Sequence, residues 1–345
     1  VIALFGGEAP NAPEKVRITV PYIRCREMGY MFDWARHQDM KELAQTGYPL
    51  ALYQAFVMPR AVDVDGKTVK LVKDLQRACR KVIYEVDDDY TNHHRQVMVE
   101  GGDAMAVMTV CDAVTASTPY LAEKMRRYNP NVYVVPNCIN VDAWREAKDV
   151  RHVQGLTIGI TGTASHYDDW GVVSKPLAEV LAEFDHVHVV FIGYKPQYFE
   201  HLGRVEHIPF LAFEKYPGGV RQIDIGLAPL NEKDEFNLSK SAIKVLEYWA
   251  SYRKYQEGGS GGIAAIASDM PVYQRVVQHE KTGLLVENSE DAWYKAIRRL
   301  VLDGDLRRRL GINGHRRVKR HRNIKTKAVE WVKAYRSIIG GNNHG

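Results

Sequence analysis

Cysteine is scarce in this chain and scattered. Cys25, Cys79, Cys111 and Cys138 form no CxxC pair and no Cys/His cluster, which removes the zinc-ribbon classes and gives no basis for a disulfide framework. They read as reduced, mostly buried thiols of a cytosolic protein. No apolar run reaches membrane-spanning length, and the first residues lack the pattern of a secretory leader. Short tandem repeats are absent as well. No large excess of one charge exists: 47 Lys and Arg against 42 Asp and Glu leave a net +5 over 345 residues. Such mild basicity suits phosphorylated ligands, nucleic acid or anionic lipid and selects none of them. With 45% hydrophobic and 26% charged residues the composition is that of a folded protein, and the length suggests two domains.

What is present is alternation. Apolar, β-branched runs at Val1–Phe5, Leu50–Phe56, Lys81–Val86, Ala113–Thr118 and Val132–Asn137 are separated by helical patterns such as Val69–Arg80 and Pro119–Tyr128. A second series follows: Leu156–Gly162, His188–Gly193, Ile225–Leu230, Gly262–Ser268 and Gly283–Val286. Strand–helix–strand alternation predicts two doubly wound parallel sheets, an α/β fold. The polar segment Asn140–Gln154 reads as the linker. Ligands of such sheets bind beyond the carboxyl ends of the strands, so the glycines at Gly6-Gly7, Gly162 and Gly193 are candidate cleft positions. Gly258–Gly262 reads as a flexible run, natural or engineered.

The stretch Phe236–Ser251 predicts one helix with two stripes. Lys240, Lys244 and Glu247 make a polar stripe; Ile243, Leu246 and Ala250 make an apolar one. A helix N-terminus with a lysine in its first turn suits a diphosphate, and a glutamate two turns on suits ribose hydroxyls. The competing reading of Glu247 is a surface ion pair with Lys244 or Lys240.

These residues carry a resemblance. FNLSKSAIKVLEYWA, SDMPVY and KTGLLVENSEDAWYKAI (Lys281–Ile297) stand in the order and spacing of the donor domain of family 4 glycosyltransferases of the GT-B type. GITGTASHYDDW (Gly159–Trp170) resembles that domain's opening strand and loop. VIYEVDDDY, ASTPYLAEKM and VVPNCINVDAW resemble a bacterial and phage subgroup. The resemblance implies a GT-B architecture: two Rossmann-like, doubly wound domains facing a central cleft. The expected divisions are 1–150 for an acceptor domain, 151–322 for a nucleotide-sugar donor domain, and 323–345 for a helix crossing back to the first. It also implies a retaining transfer from a nucleotide-diphosphate sugar, UDP- or GDP-linked, to a hydroxyl, with no cofactor and no bound metal.

Carried over residue by residue, Glu247 matches the second glutamate of the family's Glu-x7-Glu motif. The first falls on Ser239, a departure that leaves the donor sugar open; Ser239 is expected to cap the helix instead. Lys240 is assigned to the diphosphate, with Ser241, Lys244 and the backbone amides of Phe236, Asn237 and Leu238 around the donor. His166, beyond Gly162 and Thr163, is set against phosphate or donor sugar, or else bonded to Asp168 or Asp169. Gly6 and Gly7 form the acceptor-side loop, with Arg17 either lending charge to it or lying at the surface. Asp87 or Asp88 is an acceptor contact or weak base, or the run Asp87–Asp89 is structural. Trp331, Tyr335 and Ile338 lie on one side of the last helix and predict packing on the body. The basic run from Arg307 to Arg322 reads as a solvated helix face, with membrane-surface or nucleic-acid contact left open. The alternatives kept are a DNA-base glycosyltransferase of phage type, a GT-B nucleotide-sugar epimerase, and a non-catalytic nucleotide-sugar binder. A cytoplasmic place, peripheral to the inner membrane face or free of it, completes the expectation.

Overall fold

The ten apolar runs supply ten of the twelve strands of two parallel sheets in the computed structural model, which describes residues 1–5, 12–36, 52–78, 80–91, 102–148, 155–254 and 260–340. The first sheet contains β1 (Ile2–Phe5), β2 (Asp33–Arg36), β3 (Ala55–Pro59), β4 (Lys81–Val86), β5 (Ala113–Ala116) and β6 (Val132–Val134), ordered β2-β1-β3-β4-β5-β6. The second contains β7 (Leu156–Gly162), β8 (Val187–Gly193), β9 (Val205–Ile208) and β10 (Ile225–Ala228). After a two-stranded ladder of β11 (Arg253–Lys254) and β12 (Ser260–Gly261), it resumes with β13 (Ala264–Ser268) and β14 (Leu284–Val286). Its order is β14-β13-β10-β7-β8-β9, which reverses direction between β7 and β10 and so opens a crevice at their carboxyl ends.

Both faces of the second sheet are covered, because its strands alternate at period two between two apolar layers. Val190 and Ile192 of β8 pack with Val245, Leu246 and Trp249; Val189 and Phe191 pack with Leu177, Trp293 and Leu300. Helix Ile243–Ala250 lies close over β10, where Tyr248 donates to the Leu227 carbonyl at 2.8 Å. The approach requires Gly226: a Cβ there would sit 2.6 Å from the Tyr248 ring. Gly226→Ala should therefore destabilise the protein by about 1–3 kcal/mol through overpacking, read as a fall in denaturation midpoint. An unchanged midpoint would show that the helix can shift freely.

By their contacts the residues form two units. One comprises Val1–Asn137, Ser239–Ser241 and Ile324–Gly345; the other comprises Cys138–Leu238 and Ala242–Asn323. The division thus falls at Asn137 and Cys138, ahead of the expected boundary. Asn140 caps helix Val141–Glu146, and Trp144 packs edge-on against Tyr216, so this part of the expected linker is folded into the second unit; residues 149–154 lie outside the described residues. In the first unit, Trp331 is fully buried and donates to the Arg17 carbonyl at 3.0 Å, and the Tyr22 and Tyr335 hydroxyls meet at 3.1 Å.

Several expectations change here. Phe236–Ser251 is not one helix: Glu235–Ser239 and Ile243–Ala250 are separate, and Lys240 lies between them rather than in a first turn. Ser239 caps neither. The Ile243–Ala250 helix begins at Ala242 without a side-chain cap, and Ser239 Oγ is buried without a hydrogen-bond partner. Arg17 is neither at the surface nor available to a ligand loop. It is 2% exposed, hydrogen-bonded to Glu85 through Nε (2.7 Å) and to Asn137 through Nη1 (2.9 Å), with Nη2 in ion-pair contact with the same Glu85 oxygen at 2.6 Å. Gly261 and Gly262 pack against helix Gly304–His321, the Gly262 amide donating to the Gly311 carbonyl at 3.0 Å; Gly258 and Gly259 lie outside the described residues. Parts of the basic face are engaged internally, since Arg308 pairs with Asp305 and Arg317 donates to the Val276 carbonyl at 2.6 Å. No described helix is long and apolar enough to cross a membrane. Of the cysteines, Cys25, Cys111 and Cys138 are buried free thiols, and Cys79 lies outside the described residues.

Candidate functional site

Glu247 projects from the middle of helix Ile243–Ala250 and is 8% exposed. A buried carboxylate needs partners, and two elements supply them. The Tyr216 hydroxyl, from the short helix Tyr216–Val220, donates to Glu247 Oε2 at 2.9 Å; Lys244 Nζ, one turn back, donates to the same oxygen at 3.0 Å. The Tyr216 hydroxyl also lies 3.0 Å from Thr161 Oγ1 on β7, and accepts from Lys244 Nζ at 3.2 Å. Burial, then the Glu247 carboxylate, hold the Tyr216 phenol well above its ordinary pKa, so it stays a neutral donor. The network fixes the carboxylate through one oxygen beside the carboxyl end of β7. The ion pair with Lys244 expected of a surface helix does exist, but it is largely buried and includes a tyrosine.

The loop after β7 is the second component. Gly162 and Gly193 are paired at the ends of β7 and β8. At Gly193, φ is +99° and a Cβ would meet the Gly162 carbonyl oxygen at 2.4 Å, so only glycine lets the two strand ends approach. His166 follows, its ring stacked 5.8 Å from that of Trp170. His166 Nδ1 lies 2.7 Å from Asp169 Oδ2, and Asp169 is 2% exposed. Asp169, not Asp168, is thus its partner. Thr163 Oγ1 lies 2.8 Å from Ser165 Oγ.

The segment after β10 is the third. Phe236 N donates to Asp234 Oδ1 and Asn237 N to the Asp234 carbonyl, each at 3.0 Å. Those two amides are taken up within the segment, against the expectation that they serve a ligand. The Asn237 side chain is fully buried and donates to Asp169 Oδ1 at 2.6 Å, while its own Oδ1 is without a partner. Leu238 packs against the apolar layer that includes Val245 and Leu246. Lys240 is 8% exposed, and Ser241 Oγ accepts from Asn137 Nδ2 at 2.8 Å.

The acidic run of the first unit divides in two. Asp89 is fully buried, paired with Lys124 at 2.7 Å and accepting from the Thr91 amide at 3.1 Å, which makes it structural. Asp87 lies 4.0 Å from Arg60 and 3.5 Å from the Tyr90 hydroxyl; the Asp88 carbonyl accepts from the Tyr90 amide at 3.1 Å. Among the described residues no group of three or more His, Cys, Asp or Glu is placed to hold a metal. Gly6 and Gly7 lie outside the described residues.

Two parallel six-stranded sheets in this order, each flanked by helices, define a GT-B fold. Residues 255–317 match the family model for glycosyl transferases group 1. The fold is similar to that of Anabaena HepE, whose structure was solved with UDP and glucose: TM-score 0.67, 12% identity, covering 97% of this chain and 99% of that one. Sucrose-phosphate synthase from Thermosynechococcus elongatus is similar at TM-score 0.64 and 14% identity, over 99% of both chains. A putative UDP-N-acetylglucosamine 2-epimerase from Listeria monocytogenes follows at 0.58 and 9%, over 99% of this chain and 97% of that one. No protein of curated function matches the chain by sequence.

Proposed function

We propose that this protein is a retaining glycosyltransferase of family 4 that moves a sugar from a nucleotide-diphosphate sugar to a hydroxyl acceptor. The observation that carries the reading is the buried Glu247 carboxylate, tied through Oε2 to Tyr216 and Lys244 beside the end of β7. Oε1 of that carboxylate is the acceptor for the ribose hydroxyls. The matched stretch 255–317 supports the family, and the ligands named for HepE favour a uridine nucleotide. Lys240 supplies positive charge to the diphosphate, and His166 contacts it from the loop after β7. The bond from the anomeric carbon to the phosphate oxygen breaks as the acceptor oxygen bonds on the same face. The acceptor proton passes to the leaving phosphate oxygen, whose charge Lys240 stabilises. Asp87 or Asp88 serves as an acceptor-hydroxyl contact or weak base. The protein works in the cytoplasm.

A thermal-shift panel of UDP, GDP and ADP tests the donor reading, because a ligand that binds only the native state raises its melting point. UDP alone should raise it; no shift with any of the three would end the proposal. Epimerisation, suggested by one similar fold, is separated from transfer by incubating UDP-N-acetylglucosamine without acceptor. A change in the sugar itself under those conditions would replace the transferase reading.

A further inference from the structure

The crevice where the second sheet reverses direction lies between the carboxyl ends of β7 and β10. One side chain ties the loops on its two sides together. Asp169, in the loop after β7, accepts through Oδ1 from the Asn231 amide at 2.9 Å and from Asn237 Nδ2 at 2.6 Å, both in the segment after β10. Its other oxygen faces His166 Nδ1 at 2.7 Å. Hydrogen bonds from two N–H donors favour the charged form of a carboxylate against the cost of its burial. Asp169 is held in place as well, so it can orient the imidazole that leans on it.

We propose that Asp169 is a positioning residue for donor binding: it fixes the His166 proton on Nδ1, favours the imidazolium, and thereby makes Nε2–H a donor to an oxygen of the nucleotide diphosphate. The inference rests on the donor reading above. Its chemistry is that of a carboxylate–imidazole pair, in which the carboxylate sets the tautomer and stabilises the charged ring. The Trp170 ring stacked on His166 limits rotation away from that geometry. Other titratable groups around the pair include Asp168 on the same loop, Tyr194 and Tyr198 after β8, and Tyr273 of helix Pro271–Gln274. Asp169 is the one in direct contact with the ring, at 2.7 Å. The same carboxylate clamps the segment leading to Ser239, which couples the His166 loop to the place where the family's sugar-facing glutamate is missing.

Asp169→Asn separates orientation from packing. The Asn231 amide and Asn237 Nδ2 both require an acceptor, so the asparagine oxygen must stay with them and its NH2 must face His166. Nδ1 then has to accept, the neutral tautomer with Nε2–H is favoured, and the imidazolium is disfavoured. UDP affinity measured by calorimetry from pH 5.5 to 8.5 should fall in the wild type as His166 loses its proton. In Asp169→Asn the fall should move to lower pH, with at least ten-fold weaker binding at neutral pH and a melting point within a few degrees. In His166→Gln, which keeps an N–H near the Nε2 position, only the pH dependence of the UDP phosphate itself should remain; this variant carries the test if Asp169→Asn does not fold. An unchanged pH midpoint in Asp169→Asn, or pH-independent binding in the wild type, would overturn the proposal. If the wild type binds no UDP, the donor reading fails instead, and the His166 midpoint from NMR titration of both proteins still decides whether Asp169 sets its protonation.

Discussion

Glu247→Ala is expected to weaken UDP binding about 30- to 100-fold while leaving the fold intact. The estimate comes from hydrogen bonds between hydroxyls and a charged acceptor, worth about 1.5–3 kcal/mol apiece when buried. The fold should tolerate the change because the partners left behind keep company. The Tyr216 hydroxyl still lies by Thr161 and Lys244, and Lys244 retains that hydroxyl as a partner. Lys244→Ala is the control: it breaks the ion pair but keeps the carboxylate, and should cost much less affinity. Equal affinity in Glu247→Ala and wild type would remove the ribose assignment, whatever the activity did.

The second large effect lies in the core of the first unit. Arg17→Met should destabilise the protein by about 3–5 kcal/mol at pH 8, since it leaves the Glu85 carboxylate buried without its counter-ion. The effect should depend on pH in a set direction. Burial raises the Glu85 carboxyl from 4.5 to about 7, with the Arg17 guanidinium and the Thr115 hydroxyl pulling the other way. A carboxyl whose folded pKa lies above its unfolded value holds its proton more tightly when folded. Its contribution to stability is therefore complete below about pH 4.5 and is lost as pH rises through about 7. At about 1.4 kcal/mol per pH unit the ceiling is about 3 kcal/mol in the wild type, and Glu85→Gln should abolish that slope. The loss in Arg17→Met should shrink toward pH 5, where a protonated Glu85 needs no counter-ion. Urea melts at pH 5 and pH 8 decide it: an equal loss at both would mean that the damage is packing and not charge.

Which parts of the molecule were legible in the sequence follows from where the physical signal lay. Interior strands such as β4, β7 and β13 are apolar on both faces and stand out as runs. Within the two parallel sheets, the strands that escaped notice, β2 and β9, are outer strands. Their residues, Asp33–Arg36 and Val205–Ile208, mix charge with half-buried positions, as sheet edges do. The break at Lys240–Ala242 carries no glycine or proline, so periodicity ran straight through it. Glu247 and Lys244 were visible because helical spacing brings them together. Tyr216 was not, since its meeting with Glu247 spans 31 residues and its own neighbourhood, KYPGG, reads as a turn. Arg17 was misplaced for the same reason: Glu85 is 68 residues away, and nothing in VRITV announces a buried charge. Asp169 was in view only as one of two neighbours for His166; that its other oxygen holds Asn237 needs three dimensions.

Apart from Ser239–Ser241, which belong to the first, the second unit runs from Cys138 to Asn323, and the Ile139 amide donates to the Arg322 carbonyl at 2.8 Å. The second unit is thus a guest whose ends meet, inserted in the sequence of a host whose helix Val329–Gly340 is made only after it. During synthesis domains ordinarily mature in the order they emerge. Here the host must wait, its pocket for Trp331 and Tyr335 open beside Arg17 and Tyr22, until the ribosome has delivered the entire guest. A chain that stalls after Asn323 should hold a finished second unit while the first unit still exposes its core.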